Sequence, residues 1–414
     1  MESRNKEINL NNSDIITSKN IDENAAAKNE TAAFSDSEEA EQKKENRFVR
    51  FYKGELFTPG FKILLCVFLA SIFIYILSRF VPVFAEYWTR YPAQGIRFVL
   101  AKITGWFPFS LAETVILSLP VLSIAYLIGS SVSTKRDESN KNYYRWVRPM
   151  ISMILVIFII FFSGFGPAYG RYRLSQNLGL EQKEVSATEL VTTAIIISQK
   201  VQEDIKEVKF DNDGASIMPY DYFELKAKIN AAFEKYAAEA DYISHFKSNP
   251  KPIAMSKPMT YTHISGVYTF MTGESNINTN YPDFLTPFTM AHEMAHQRGV
   301  AREDEANFVA YLVCIGSDDA YIRYSAYTNM MNYLLSALSS ADQNLYTQFV
   351  SSFLPKELKK EFIAYTNFFD KYRDSTASDV TGAVNNVFLQ SQGQKEGTKS
   401  YGLVVDLAVA YYKQ

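Results

Sequence analysis

Two histidines, His292 and His296, flank Glu293 in the run from Thr286 to Leu312, TPFTMAHEMAHQRGVAREDEANFVAYL. On an α-helix, residues i and i+4 share a face, so both imidazoles can converge on one metal ion. Glu293 lies about 100° round the helix from His292. There it can reach a water held at that metal without taking a ligand position, and act as general base. This is the HExxH pattern of zinc hydrolases. The bland alternative is a surface helix carrying two solvated histidines. Against it, the chain has only four histidines, and two of them fall at this spacing.

The flanking residues specify the helix that must hold them. Thr286 suits an N-cap, Pro287 suits N1, and Gly299 suits the left-handed position that ends a helix. A second helix is expected to open at Glu303-Asp304-Glu305, whose charges complement its N-terminal dipole. Ala306, Val309, Ala310 and Val313 make its buried stripe. Two histidines need a third protein ligand, and Glu303-Asp304-Glu305-Ala306-Asn307 fits the ExxA[DN] pattern of HExxH enzymes that use a downstream glutamate. That reading makes Glu303 the ligand and Asn307 the residue that steadies a histidine. Glu305 is the alternative ligand.

The run HEMAHQRGVAREDEANF resembles a bacterial membrane-protein family, the domain-of-unknown-function family numbered 3810, grouped with HExxH metallopeptidases. GWFPFSLAE around Trp106, GPAYGRYRL around Pro167 and KSYGLVVDLAVAYY near the C-terminus carry the same resemblance. It covers the chain from about residue 60 to its end. The resemblance implies a membrane-anchored zinc peptidase.

Net charge is −3, so no basic excess points to nucleic acid. The two cysteines, Cys66 in an apolar run and Cys314 on the second motif helix, are not expected to pair. Residues 1–57 are read as a cytoplasmic tail, disordered because its polar composition cannot offset ordering entropy. Residues 58–170 form the transmembrane region, with spans expected at about 63–84, 110–132 and 149–168. Arg79 is placed to snorkel near one end of the first, and Glu113 is read as an interfacial carboxylate at the start of the second. Lys43, Lys44, Arg47, Arg50 and Lys53 precede the first span. Lys135, Arg136, Lys141, Arg145 and Arg148 lie between the second and third. The positive-inside rule then puts the N-terminus in the cytoplasm and residues 171–414 outside.

In 171–414, Ser186-x-x-Glu189 is a capping box opening a helix to about Lys206, with Leu190, Ala194, Ile197 and Val201 on its buried face. A second helix is expected over about 220–240. Met259 to Phe270 reads as paired strands turning at Ser265-Gly266. Its end, Val267, Tyr268, Thr269 and Phe270, is the candidate strand for pairing with an extended substrate. A sheet edge packing only on its own helices is the alternative. His245 and His263 lack partners at ligand spacing. Tyr324 and Arg323 are candidate donors to a tetrahedral oxyanion. Helices are expected over about 330–338, 356–372, 379–389 and 403–412, with 391–399 a loop.

The expected fold is therefore a multi-pass membrane protein: three transmembrane helices, then a mainly helical α+β, zincin-like catalytic domain of the gluzincin type. The expected cofactor is Zn2+, and the expected partners are the lipid bilayer and a membrane- or wall-associated peptide or protein. A zinc-binding structural or sensory module without turnover, or a zinc-dependent amide hydrolase acting on cell-wall material, are the other readings.

Overall fold

The computed structural model describes residues 57–136, 141–373, 375–392, 394 and 401–414. The N-terminal tail with its basic run, and most of the 391–399 loop, lie outside the described residues. The chain is mostly helical. In order it forms α1 (Pro59–Phe80), α2 (Pro82–Arg90), α3 (Pro92–Thr104), α4 (Leu111–Arg136) and α5 (Lys141–Ile160). A π-helical turn, Phe161–Phe165, and a 3-10 segment, Gly166–Gly170, extend α5. Then follow α6 (Leu174–Asn177), α7 (Ala187–Asp204), β1 (Lys209–Phe210), β2 (Ser216–Ile217), α8 (Tyr222–Ala237), β3 (Lys251–Pro252), α9 (Ser256–Thr260), β4 (Gly266–Thr269) and β5 (Glu274–Ile277). The last are α10 (Leu285–Gln297), α11 (Glu303–Ile315), α12 (Ala320–Ala341), α13 (Gln343–Ser352), α14 (Lys356–Asp370), α15 (Thr376–Ser391) and α16 (Tyr401–Tyr412).

Among the described residues, three helical stretches are long and apolar enough to cross a membrane: Pro59–Phe80, Leu111–Ser133 and Trp146–Gly170. The first ends four residues before the expected 84. The chain breaks at Val81 and Pro82 starts a new helix at its first turn, where a missing N–H costs nothing. Pro92 does the same for α3, so the expected loop between the first two spans is a helix pair.

Packing divides the chain into two compact units. The smaller one includes the described residues 57–65, 128–136 and 141–153. Within it Phe57 and Phe61 pack edge-on at 5.8 Å. Gly129 leaves room for the Trp146 ring, which a Cβ there would approach to 3.3 Å.

The larger unit comprises Cys66–Leu127 and Ile154–Gln414. Its core joins α7, α8, α10, α11, α12 and α16 through residues such as Ile197, Phe233, Met294, Phe308, Ile322 and Val404. The stripe Leu190, Ala194, Ile197 and Val201 is buried, and the Ser186–Glu189 capping box forms. The glycines of GFGPAYG are there for close packing. A Cβ on Gly170 would lie 1.9 Å from the Ser78 carbonyl oxygen of α1, and one on Gly166 would meet the Tyr75 ring at 3.0 Å.

The composition change at 170 is not a break in packing. Arg171 pairs with Glu86 of α2 at 2.6 Å and donates to the carbonyls of Tyr242 and Gly299. Arg97 of α3, fully buried, donates to the carbonyls of Gly164 and Thr89. Glu274 of β5 accepts the N–H groups of Leu111 and Ala112, capping α4 with a buried carboxylate. Glu113 accepts those of Ala254 and Met255, so its role is to hold the β3–α9 turn.

One small sheet has strand order β3-β5-β4, with β3 parallel and β4 antiparallel to β5. This corrects the expected hairpin. Met259–Thr260 belongs to α9, Ser265-Gly266 leads into β4 rather than turning, and the partner of β4 is Glu274–Ile277. The turn lies at 270–273 and closes on Gly273, which has φ +68°.

Burial would raise the Glu86 carboxyl, but hydrogen bonds and charge from Arg171 and Arg90 outweigh it and hold the group below its usual 4.5. A carboxyl lowered in the folded state stabilises above its unfolded pKa, and that contribution is lost as pH falls through the lower folded value. Glu86→Ala should therefore cost about 3–5 kcal/mol at neutral pH, because it strands the Arg171 charge. Denaturant melts should show the difference from wild type shrinking as pH drops below the carboxylate range.

Candidate metal centre

Helix α10 carries His292, Glu293 and His296 with eleven of its thirteen residues buried. Its start differs from expectation. Phe284 is the N-cap, without a side-chain cap bond, and Thr286 and Pro287 lie inside the first turn. Phe288 N–H is instead met by Ser325 Oγ from α12.

The end of α10 sets the site. Gly299 adopts φ +94°. Its N–H bonds to His296 C=O at 3.0 Å, and Val300 N–H bonds to Ala295 C=O at 3.2 Å. These two bonds make a Schellman turn, which only a residue at ease with positive φ allows. Val300 C=O then accepts from His296 Nδ1 at 2.7 Å. That bond puts the proton on Nδ1 and leaves Nε2 as a free donor atom. Arg298, buried at the helix C-terminus, donates to the Met294 and Phe246 carbonyls and lies over the Phe233 ring. Its charge complements the dipole there.

After the reversal, α11 begins at Glu303. His292 Nε2 and His296 Nε2 are 3.0 Å apart. Glu303 oxygens lie 3.3 Å from the first and 3.5 Å from the second. Two donor atoms bound tetrahedrally to zinc at about 2.0–2.1 Å would be about 3.3–3.4 Å apart. The donor set and its spacing fit such an ion. Among the described residues, this is the group of His, Cys, Asp and Glu side chains that converges in this way.

The electrostatics follow from burial in close quarters. Burial alone would raise Glu303, yet the two imidazoles hold it well below the carboxylate range. Burial disfavours a charged His296, but Glu303 beside it raises the ring to about 9. Glu293 is raised, chiefly by burial.

The other expected residues fall as follows. Glu305 is turned away: its Oε1 accepts from Leu174 N–H at 3.1 Å and pairs with Arg302. Asn307 is buried, but its amide nitrogen has no hydrogen-bond partner, and neither has His292 Nδ1. The bond expected from Asn307 to a histidine is absent, and Val300 C=O supplies the orienting contact to His296. Tyr324 is fully buried with its hydroxyl on Glu361, and Arg323 pairs with Asp204. Neither is an oxyanion donor, because α12 turns both toward other partners. His263 donates to Tyr372 C=O.

Val267, Tyr268 and Thr269 lie on β4, which is the edge strand, with Phe270 just beyond it. Asn278 N–H bonds to Ser265 C=O at 2.8 Å, so residues 265, 267 and 269 face β5. The backbone groups of Gly266 and Tyr268 then point away from the sheet. The Tyr268 N–H faces the Glu293 carboxylate closely enough to favour its charged form, which places the general-base candidate beside the open edge. Ser275 Oγ of β5 donates to Glu293 C=O, and Gln297 Nε2 to Gly273 C=O, tying sheet to helix. The Phe165 ring, at the end of the third apolar stretch, packs against Tyr268 at 5.2 Å and His296 at 6.3 Å.

A family model described as protein of unknown function, DUF3810, matches residues 88–409. The chain belongs to the DUF3810 family. The match takes in α3, the glycine segment, β4, α10 and α11, so the whole centre lies inside the DUF3810 region. No curated protein and no solved structure matches the chain.

The residue that sequence reading missed is Gly266. A Cβ there would lie 2.7 Å from Glu293 Cγ, 2.8 Å from its Oε1 and 2.9 Å from Thr289 Cγ2. Gly266→Ala should destabilise by about 1–3 kcal/mol, the usual cost of overpacking. Denaturant melts of both single variants and the double should show the cost falling when Glu293 is also Ala. Additive costs would mean that the carboxylate is not what the methyl meets.

Proposed function

We propose that this protein is a membrane-anchored, zinc-dependent hydrolase of peptide bonds, with its site on the extracytoplasmic side. The observation that carries the reading is the joint placement of three donor atoms at zinc spacing and of Glu293 between them and an open strand edge. A helix bearing HExxH, a second helix bearing the third ligand and a neighbouring edge strand also support a zincin-like fold of the gluzincin type.

His292, His296 and Glu303 would hold the ion. When bound, zinc supplies Lewis acidity, which polarises a carbonyl and makes water a stronger acid. The remaining work belongs to the chain's own groups. Glu293 takes the proton from the attacking water at its carboxylate oxygen and hands it to the leaving amine nitrogen. Burial raises its pKa, the direction that suits a group that must both accept and release a proton. The outward N–H and C=O groups of Gly266 and the outward C=O of Tyr268 would orient an extended substrate by main-chain bonds, which do not read side chains. The rings of Phe165 and Tyr268 pack together beside His296 and give the site one apolar wall.

The basic residues between α4 and α5 and before α1 support the outward orientation. A metal-binding module without turnover would not need an acid at position 293. Glu293→Gln keeps the shape and removes the base. In detergent-purified protein it should lower cleavage of an unbiased peptide library by a factor of at least about 10²–10⁴, the usual worth of general-base catalysis. Equal cleavage by wild type and variant would sink the assignment of Glu293. No cleavage by the metal-loaded wild type would favour the non-catalytic reading.

A further inference from the structure

Helix α15 is built inside out. Its polar and small residues Ser378, Thr381 and Asn386 are half-buried toward the protein, with Leu389 buried among them. Its valines face outward: Val380, Val384 and Val387 are 60%, 65% and 66% exposed. On a helical wheel these three fall within about 60° of one another. The helix has no lysine or arginine, and its one charge, Asp379, lies off the stripe. A helix facing water would present the opposite pattern.

What covers that stripe is indicated by where the helix is tied down. Gln392, directly after α15, accepts from Tyr75 Oη at 2.9 Å and, through its carbonyl, from Arg79 Nη1 at 2.6 Å. Tyr75 lies five residues before the end of α1 at Phe80, about 7.5 Å along the helix axis at the α-helical rise. The C-terminal end of α15 is thus held below the level at which the apolar helix ends. On α1 itself, Phe73 and Ile76, neighbours of Tyr75 along the helix, are exposed, as is Phe80 at its end. The Phe388 ring bridges inward, 6.3 Å from Phe161 and 6.4 Å from Tyr169. Arg79 therefore spends its charge on α15 rather than extending to solvent.

We infer that the valine face of α15 lies in the bilayer surface at the Phe80 end of α1, making this helix a lipid-resting flap beside the metal centre. The occupant is lipid because the stripe continues the apolar surface of a helix long enough to cross the membrane, at a depth fixed by the Tyr75 and Arg79 bonds. Phe388 rests on Tyr169, which packs on Phe165 at 5.8 Å, and Phe165 packs on His296. The flap is thus three ring contacts from His296. The inference depends on α1 spanning the membrane and is independent of hydrolysis, so it stands or falls separately from the proposed reaction.

The test uses the full chain in lipid nanodiscs, with Cys66 replaced by Ala and a single spin label at Val384→Cys or, for comparison, Asp379→Cys. Collision with dissolved oxygen and with a water-soluble nickel chelate reports the surroundings of each label. Lipid contact predicts a several-fold higher oxygen-to-nickel ratio at position 384 than at 379, and quenching of a fluorophore at 384 by lipids spin-labelled near the headgroup. Equal, water-like ratios at both positions would overturn the inference. So would dipolar broadening between chains at 384, which would make a second copy the occupant.

Discussion

The reversal between α10 and α11 is the constraint on which the rest of the centre depends. Three residues, Arg298, Gly299 and Val300, must turn the chain tightly enough for Glu303 to face the two histidines across about 3 Å. The left-handed Gly299 makes this possible, and its surroundings leave no slack. A Cβ on Gly299 would lie 2.7 Å from Arg97 Nη2, while Arg171 binds the Gly299 carbonyl at 3.1 Å. The turn also delivers Val300 C=O to His296 Nδ1, so one local conformation sets both the placement of Glu303 and the tautomer of His296.

Two buried arginines extend that constraint outward. Arg97 lies between the first and second apolar stretches and Arg171 after the third, yet the one binds the Gly164 carbonyl of the glycine segment and the other the Gly299 carbonyl of the turn. Burial lowers Arg97 to about 10, a measure of how strongly desolvation opposes its charge. Glu86 balances Arg171 directly. Gly164, Gly166 and Gly170 then let the end of the third stretch press against Ile96, Tyr75 and Ser78. The membrane-proximal helices are therefore structural supports of the centre rather than an anchor attached to it.

Much of this was legible in the sequence because it is local. The i, i+4 histidines, the terminating Gly299 and the acidic first turn of α11 each act within a few residues, and three long apolar runs declare themselves by length. What escaped was set by contacts distant in sequence. Thr286 has the chemistry of an N-cap, but Ser325, thirty-nine residues away, serves that helix end instead. Met259–Thr262 has strand-like composition, yet β4, the antiparallel partner of β5, begins only at Gly266. The sequence pattern favours Glu303 over Glu305, and contacts with Leu174 and Arg302 hold Glu305 away from the histidines. Tyr324 and Arg323 had suitable chemistry but are claimed by Glu361 and Asp204. Gly266 carries no sequence signal of its role, because its importance lies in the absence of a side chain beneath Glu293.

The most direct test of the account is the metal content of the purified protein, measured without chelators by mass spectrometry, for wild type, Glu303→Ala and Glu305→Ala. The account predicts one zinc per chain in wild type and in Glu305→Ala, and its loss from Glu303→Ala while circular dichroism stays unchanged. Retention of zinc by Glu303→Ala with loss from Glu305→Ala would contradict the centre described here. So would a correctly folded wild type with no stoichiometric metal.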